Sequence, residues 1–238
     1  MTEFTEWRSL VDGERISAIP DTSMFQNAVY QWWGESIDAS DSTSPVDWPE
    51  SLAGLSDASA VGSPTKTTQS GFEAVEYDPT DGDEDYHTFN PDNQFPTGDS
   101  AFAIFALAYL PSSLDDDAIF AYGDNSITGG AISFRIDSGN VDILRSQDGG
   151  YSGGSPETGQ WVTLGTAYDG NGSQDIGFGG TFGTNISVTW DLRDQNHAIG
   201  YYLPSGIQAL NATLAEVIYC NGDETDQAFS DYHNDRLG

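Results

Sequence analysis

Cations are almost missing from this chain of 238 residues. Lys66 is its one lysine; Arg8, Arg15, Arg135, Arg145, Arg193 and Arg236 complete the basic set of 7, against 38 Asp and Glu and a net charge of −31. Binding of DNA or RNA neutralises phosphates with clustered Lys and Arg, so nucleic acid is excluded as a partner. Anionic membrane surfaces are excluded on the same ground. Long apolar runs are missing too. The longest, residues 101–110, is strand-sized, and a bilayer span takes about 20 residues. Residues 1–15 are polar and acidic and do not read as a secretory signal. Cysteine occurs once, so no internal disulfide forms, and Cys220 reads as a small core residue.

What the chain has in excess is carboxylate. In dilute buffer such self-repulsion opposes a compact state. At 1 M salt the Debye length falls to about 3 Å, and neighbouring carboxylates scarcely interact. An acidic chain with one lysine is therefore expected to work at very high salt. An acidic disordered segment is excluded by composition: 37% of the residues are hydrophobic and 12% aromatic, enough to build a core.

The hydrophobic period is mostly two. Ile132, Phe134 and Ile136 alternate with Ser133, Arg135 and Asp137, and Asp-Ser-Gly-Asn at 137–140 turns the chain into a hairpin partner at 141–144. Ile186, Val188, Trp190 and Leu192 alternate with Ser187, Thr189, Asp191 and Arg193. One buried and one wet face is the pattern of an antiparallel sheet. Residues 102–110, apolar on both faces, predict a central strand; 161–164, 197–203 and 214–220 predict others. Residues 149–154 and 170–180 are glycine-rich and predict loops. Helical period is scarce: residues 227–237, after the capping residues Asp223 and Thr225, predict a short helix, and a weaker candidate lies near 5–11. The sum is an all-β, two-sheet antiparallel jelly-roll β-sandwich over residues 28–238, with a short C-terminal helix. Residues 1–27 form an N-terminal arm. Its apolar Phe4, Trp7, Leu10 and Phe25 are expected to anchor on the chain's own sandwich or on a neighbouring subunit of a trimer or pentamer.

Several runs carry a family pattern. They are Gln31-Trp32-Trp33-Gly34-Glu35-Ser36, Trp48-Pro49-Glu50-Ser51, Asp57-Ala58-Ser59-Ala60, Pro64-Thr65, Gly71-Phe72-Glu73-Ala74-Val75-Glu76-Tyr77-Asp78, Asp83-Glu84-Asp85-Tyr86 and, near the end, Leu214-Ala215-Glu216-Val217-Ile218-Tyr219. Together they resemble the concanavalin A-like, laminin G-like jelly-roll modules of phage and virus structural proteins. Glu50 stands where that pattern has Asp, Glu73 where it has Pro, and Pro79-Thr80 interrupts its acidic step. The resemblance implies a sandwich used for adhesion or particle architecture. With the halophilic composition it implies a virion structural protein of a haloarchaeal, tailed virus. Such a protein is a capsid decoration, turret or spike subunit among other virion proteins, on a particle surface bathed in high salt. A tail or fibre module for host attachment through a surface glycan is the first alternative. A glycan-active enzyme and a cell-surface adhesion domain are the others.

No catalytic constellation is legible. Retaining glycosidases of this fold type place carboxylates on one strand, and Glu73-Ala74-Val75-Glu76 lacks the central Asp. His87, His197 and His233 lack metal-ligand spacing, and neither a nucleophile elbow nor a phosphate loop is present. No cofactor is required. Asp81, Asp83, Glu84 and Asp85, with Asp78 beside them, are either oxygen ligands for Ca²⁺ or Mg²⁺ or a solvated acidic loop; Asp115, Asp116 and Asp117 form a second cluster. Tyr151, Tyr168 and Asp169 are candidate glycan contacts, the alternative being aromatics packed on the sandwich edge. Sequons at Asn171, Asn185 and Asn211 are candidates for N-glycosylation. The composition makes one firm prediction. The melting temperature should climb as KCl is raised from dilute buffer to ~2 M, and an unchanged value would refute a halophilic surface.

Overall fold

Phe102–Tyr109 is apolar on every residue because both of its faces are covered. A computed structural model describes residues 22–52, 57–79, 84–91, 95–112, 117–202 and 209–238. Fifteen strands are present among them: β1 Ala28–Trp33, β2 Ser59–Val61, β3 Thr65–Gln69, β4 Phe72–Tyr77, β5 Tyr86–Thr88, β6 Phe102–Tyr109, β7 Asp117–Gly123, β8 Ala131–Asp137, β9 Asn140–Arg145, β10 Gly149–Gly154, β11 Trp161–Tyr168, β12 Ser173–Phe178, β13 Thr181–Ser187, β14 Ala198–Ile199 and β15 Ala212–Cys220. One sheet runs β13-β12-β11-β6-β15-β4-β3, with β1 also on β15; the other runs β10-β9-β8-β7-β14-β5-β2. The architecture is the two-sheet antiparallel sandwich that the alternation predicts.

β15 is shared. One edge pairs along β6, while the other takes β4 at Ala212–Leu214 and β1 from Glu216 to Cys220. The first strand thus lies against the last. Tyr30 and Trp32 of β1 point into the core; Gln31 and Trp33 point to the outer face. Between the sheets an aromatic cluster forms around Phe95, whose ring stacks on Tyr219 at 4.0 Å and lies 4.9 Å from Tyr122. The β8–β9 turn carries Ser138 at φ 51° and Gly139 at φ 75°, the doubly left-handed turn whose twist suits a hairpin.

The outer face of the larger sheet is covered by α1, Asp226–Leu237. Thr225 caps it by accepting the Ala228 N–H. Phe229 and Tyr232 pack on Phe105, and the space is made by Gly165, where a Cβ would meet both Phe105 and Phe229 within 3.0 Å.

Three sequence expectations change. Residues 149–154 form the edge strand β10, and 173–178 within the second glycine-rich stretch form β12. Glycine serves there because the sheets pinch together: a Cβ on Gly153 would lie 2.5 Å from Ile176. The strand expected through Leu192 stops at Ser187. Val188, Trp190 and Leu192 keep their inward alternation but bond to loops, Leu192 to Gly98 by both backbone groups. The strand expected over 197–203 is two residues long, and Tyr202 then packs over Ala118, Ala121 and Ala131. Of the arm residues, Phe4, Trp7 and Leu10 lie outside the described residues, and Phe25 takes the first of its two expected places, on the chain's own sandwich. Its ring stacks on Phe105 at 4.4 Å and touches Tyr232, leaving it 5% exposed.

Two histidines sit in this core. His87 Nε2 donates to the Val46 carbonyl at 2.7 Å and its Nδ1 accepts from the Tyr77 hydroxyl at 2.9 Å, which fixes a neutral ring. Burial pushes His87 down to about 4, and His197, packed against Phe95, down to about 4 as well. His197 Nε2 lies 2.7 Å from Asp194 Oδ1 but out of line for a hydrogen bond. As pH falls, the unfolded chain takes up protons near pH 6.5 before these buried rings do. Their contribution is therefore whole above about pH 6.5 and lost progressively towards pH 4, at roughly 3 kcal/mol each. Relief of carboxylate repulsion acts in the opposite direction, so the difference between variants is the clean readout. Chemical denaturation of His87→Gln and the parent at fixed molar salt should give stabilities that converge by about 3 kcal/mol from pH 7 to pH 4. Parallel curves would contradict the assignment.

Candidate functional site: an aromatic groove beside Tyr109

The three residues expected to bind glycan are linked at one end of the sandwich, but only at its rim is any of them exposed. Tyr168 is fully buried at the end of β11, and its hydroxyl donates to Asp99 Oδ1. Asp99 also accepts the Trp190 N–H at 2.8 Å. The Arg145 guanidinium lies 5.9 Å from the Trp190 ring centre, donates twice to the Thr189 carbonyl, and reaches Asp148 Oδ2 at 2.6 Å. Tyr151 donates to the same carboxylate oxygen at 2.9 Å. The Tyr151 and Arg145 hydrogen bonds hold Asp148 below the usual carboxylate range, and burial followed by the Asp148 bond pushes Tyr151 up. Asp169 is spent on the β11–β12 turn, where Oδ1 accepts the N–H groups of Asn171 and Ser173. Tyr168 therefore cannot stack on a sugar, and the Arg145–Asp148–Tyr151 trio satisfies itself.

The acidic loop is likewise structural where it is described. Asp81 and Asp83 lie outside the described residues. Asp85 is 2% exposed, and its two oxygens accept the N–H groups of Ser63 and Asp78. Glu84 neighbours the Tyr201 hydroxyl. No group of three or more metal-ligating side chains occurs among the described residues. Of the second cluster, Asp117 accepts the Asn211 N–H at 2.8 Å. The amide of Asn185 bonds Ser173 and Asp175, while Asn171 stands exposed on its turn.

Two hollows among the described residues bear on a site. The larger, about 270 Å³, lies over Lys66, between Glu35, Asp38 and Glu73. Its polar floor is already paired: Lys66 Nζ donates to the Ile37 carbonyl and to Glu73 Oε2, each at 2.7 Å. The smaller, about 160 Å³, is a groove at the opposite end of the sandwich from the Tyr151 rim. The β3–β4 hairpin, paired into the larger sheet beside β15, makes one wall: the Trp161 indole N–H donates to the Gln69 carbonyl at 2.9 Å and Phe72 packs on Trp161 at 5.0 Å. The end of β6 and the start of β15 make the other. Tyr109, half-buried and edge-on to Trp161, gives the groove an aromatic side. Around it stand the side chains of Gln69, Glu76, Asn211 and Thr213, with Pro111 closing one end. None of these four side chains, nor the Tyr109 hydroxyl, has a hydrogen-bonding partner among the described residues. An aromatic face ringed by free amides and hydroxyls is the chemistry that holds a polyhydroxylated ligand.

Sequence reasoning missed this groove, save for Asn211, which was noted only as a sequon. Its members come from four separate stretches that no local spacing connects.

No protein-family model matches the chain, and no curated protein matches it. Solved structures do. Domain 4 of AbnA, an extracellular GH43 arabinanase from Geobacillus stearothermophilus solved in complex with arabinotriose, aligns over 87% of this chain and 98% of its own at a TM-score of 0.63 and 13% identity. The binding domain of botulinum neurotoxin serotype D aligns over 88% of this chain at a TM-score of 0.60 and 8% identity, and the Trypanosoma rangeli sialidase over 89% at 0.57 and 13%. This chain spans about half of the toxin domain and a third of the sialidase, 52% and 33%. At these identities the likeness is one of fold alone, a two-sheet jelly-roll β-sandwich.

Proposed function

We propose that this chain is a non-catalytic carbohydrate-recognition module that binds a neutral sugar in the groove beside Tyr109. The observation that carries the reading is the set of unpartnered polar side chains, Gln69, Asn211 and Thr213, around an aromatic face. Arabinotriose bound to the similarly folded arabinanase domain supports it. Charge selects the ligand class. Lys66, Arg135, Arg145, Arg193 and Arg236, the cations among the described residues, are each ion-paired within the chain. None is left for an anionic sugar, and Glu76 in the groove would repel one. Hydrolysis of a glycosidic bond takes two carboxylates across the scissile link; Glu76 is alone there, and Glu73 is held by Lys66.

A finer reading is that the module is a surface subunit of a haloarchaeal virion, a decoration, turret or spike used in attachment. It is supported by the runs that resemble virus structural modules, two of which, 71–78 and 214–219, meet in the structure at Leu214 opposite Val75. Detection of the protein in purified particles by mass spectrometry tests that reading.

Titration calorimetry at molar KCl, with arabinotriose and a sialylated trisaccharide as probes, tests the groove. The neutral probe should bind and the anionic one should not. Tyr109→Phe should weaken binding by about threefold to tenfold through loss of one hydrogen bond, and adding Gln69→Ala should weaken it further. Tyr151→Ala should leave it unchanged. Preference for the anionic probe, or equal affinity in all variants, would overturn the proposal. Glycosylation at Asn211 would fill the same groove, so the two uses of that residue exclude each other.

A further inference from the structure

The groove beside Tyr109 has a direction, set by strand register. Trp161 of β11 stands opposite Tyr109 of β6, Tyr109 opposite Thr213 of β15, and Thr213 opposite Glu76 of β4. Directly opposed residues of an antiparallel ladder share a face, so these four side chains form one row across the outer face of the larger sheet. Three of them, Tyr109, Thr213 and Glu76, line the groove. The row is closed at one end and open at the other. Trp161 is 9% exposed, held under the Gln69 carbonyl and against Phe72. Glu76 stands exposed.

The spacing of the row fixes the length of what it can hold. Neighbouring strands lie about 4.8 Å apart, which puts Glu76, two strands from Tyr109, roughly 10 Å away across the sheet. A sugar ring covers about one strand spacing. A single ring on Tyr109 therefore reaches Thr213 beside it and stops short of Glu76, whereas two linked rings reach both. Glu76 is also free to accept. No described cation pairs with it: Lys66, the one cation of the β3–β4 hairpin, stands opposite Val75 on the other face and is paired with Glu73. We infer that the ligand is a neutral oligosaccharide laid across the strands, one sugar on Tyr109 and the next donating its hydroxyls to the Glu76 carboxylate. The inference rests on the groove being the sugar site, and it makes Glu76 the residue that selects a chain over a single sugar.

Titration calorimetry at molar KCl with arabinose and arabinotriose separates this inference from the reading beneath it. Arabinotriose should bind at least about tenfold more tightly than arabinose, the gain of one further hydrogen-bonded sugar. Glu76→Ala, at an exposed position, should weaken arabinotriose by about tenfold to a hundredfold, the range of a hydrogen bond to a charged group, and leave arabinose unchanged. Tyr109→Ala should weaken both. Equal affinity for the two sugars, an undiminished trisaccharide affinity in Glu76→Ala, or an equal loss for both sugars in that variant would overturn the inference and leave sugar recognition at Tyr109 standing. Binding of neither sugar by the parent chain would overturn the sugar site itself, and the inference with it.

Discussion

A carboxylate with no access to water organises this molecule. Glu216 lies in the middle of β15 and is fully buried. An uncompensated charge there would cost several kcal/mol. Two elements answer it: Arg236 from α1 donates Nε and Nη2 to the two oxygens at 2.8 and 3.1 Å, and Gln31 from β1 donates at 2.5 Å. The guanidinium in turn lies over Tyr232 at 5.2 Å and Trp33 at 5.8 Å. First strand, last strand and C-terminal helix are thereby locked to one point. With β1 fixed on the second half of β15, only the first half is left for β4. β4 and β3 extend the sheet from that half, and the end of their hairpin reaches Trp161 and walls the groove beside Tyr109.

The same scarcity that makes Glu216 costly shapes the surface. With seven cations against 38 carboxylates, each described cation is spent inside the chain. Lys66 ties two loops together, Arg135 bridges β8 to Asp142 of β9, and Arg145 fastens the sandwich rim. What stays free in the groove beside Tyr109 is, apart from Glu76, uncharged: amides, hydroxyls and an aromatic face.

Much of the fold was legible in the sequence because burial on one face forces alternation. The β8–β9 hairpin, the central strand over 102–109 and the Thr225-capped helix all follow from period and turn chemistry. Where packing is made by backbone, the pattern fell silent: β10 reads as a loop because Gly153 is there to let Ile176 approach, not to flex. Tyr168 reads as a loop aromatic because it borders Asp169, yet it is the last inward residue of its strand. The groove was not legible at all. Gln69, Tyr109 and Asn211 become neighbours only once β4 and β6 have paired on the two sides of β15, and each alone is an ordinary surface residue.

The account rests on the groove as the place of recognition. A crystal structure of the chain with arabinotriose, grown at molar KCl, measures that most directly. The account predicts a sugar ring against Tyr109, with hydroxyls bonded to Gln69, Asn211 and Thr213. A sugar held at the Arg145–Asp148–Tyr151 rim, with the Tyr109 groove filled by water alone, would contradict it.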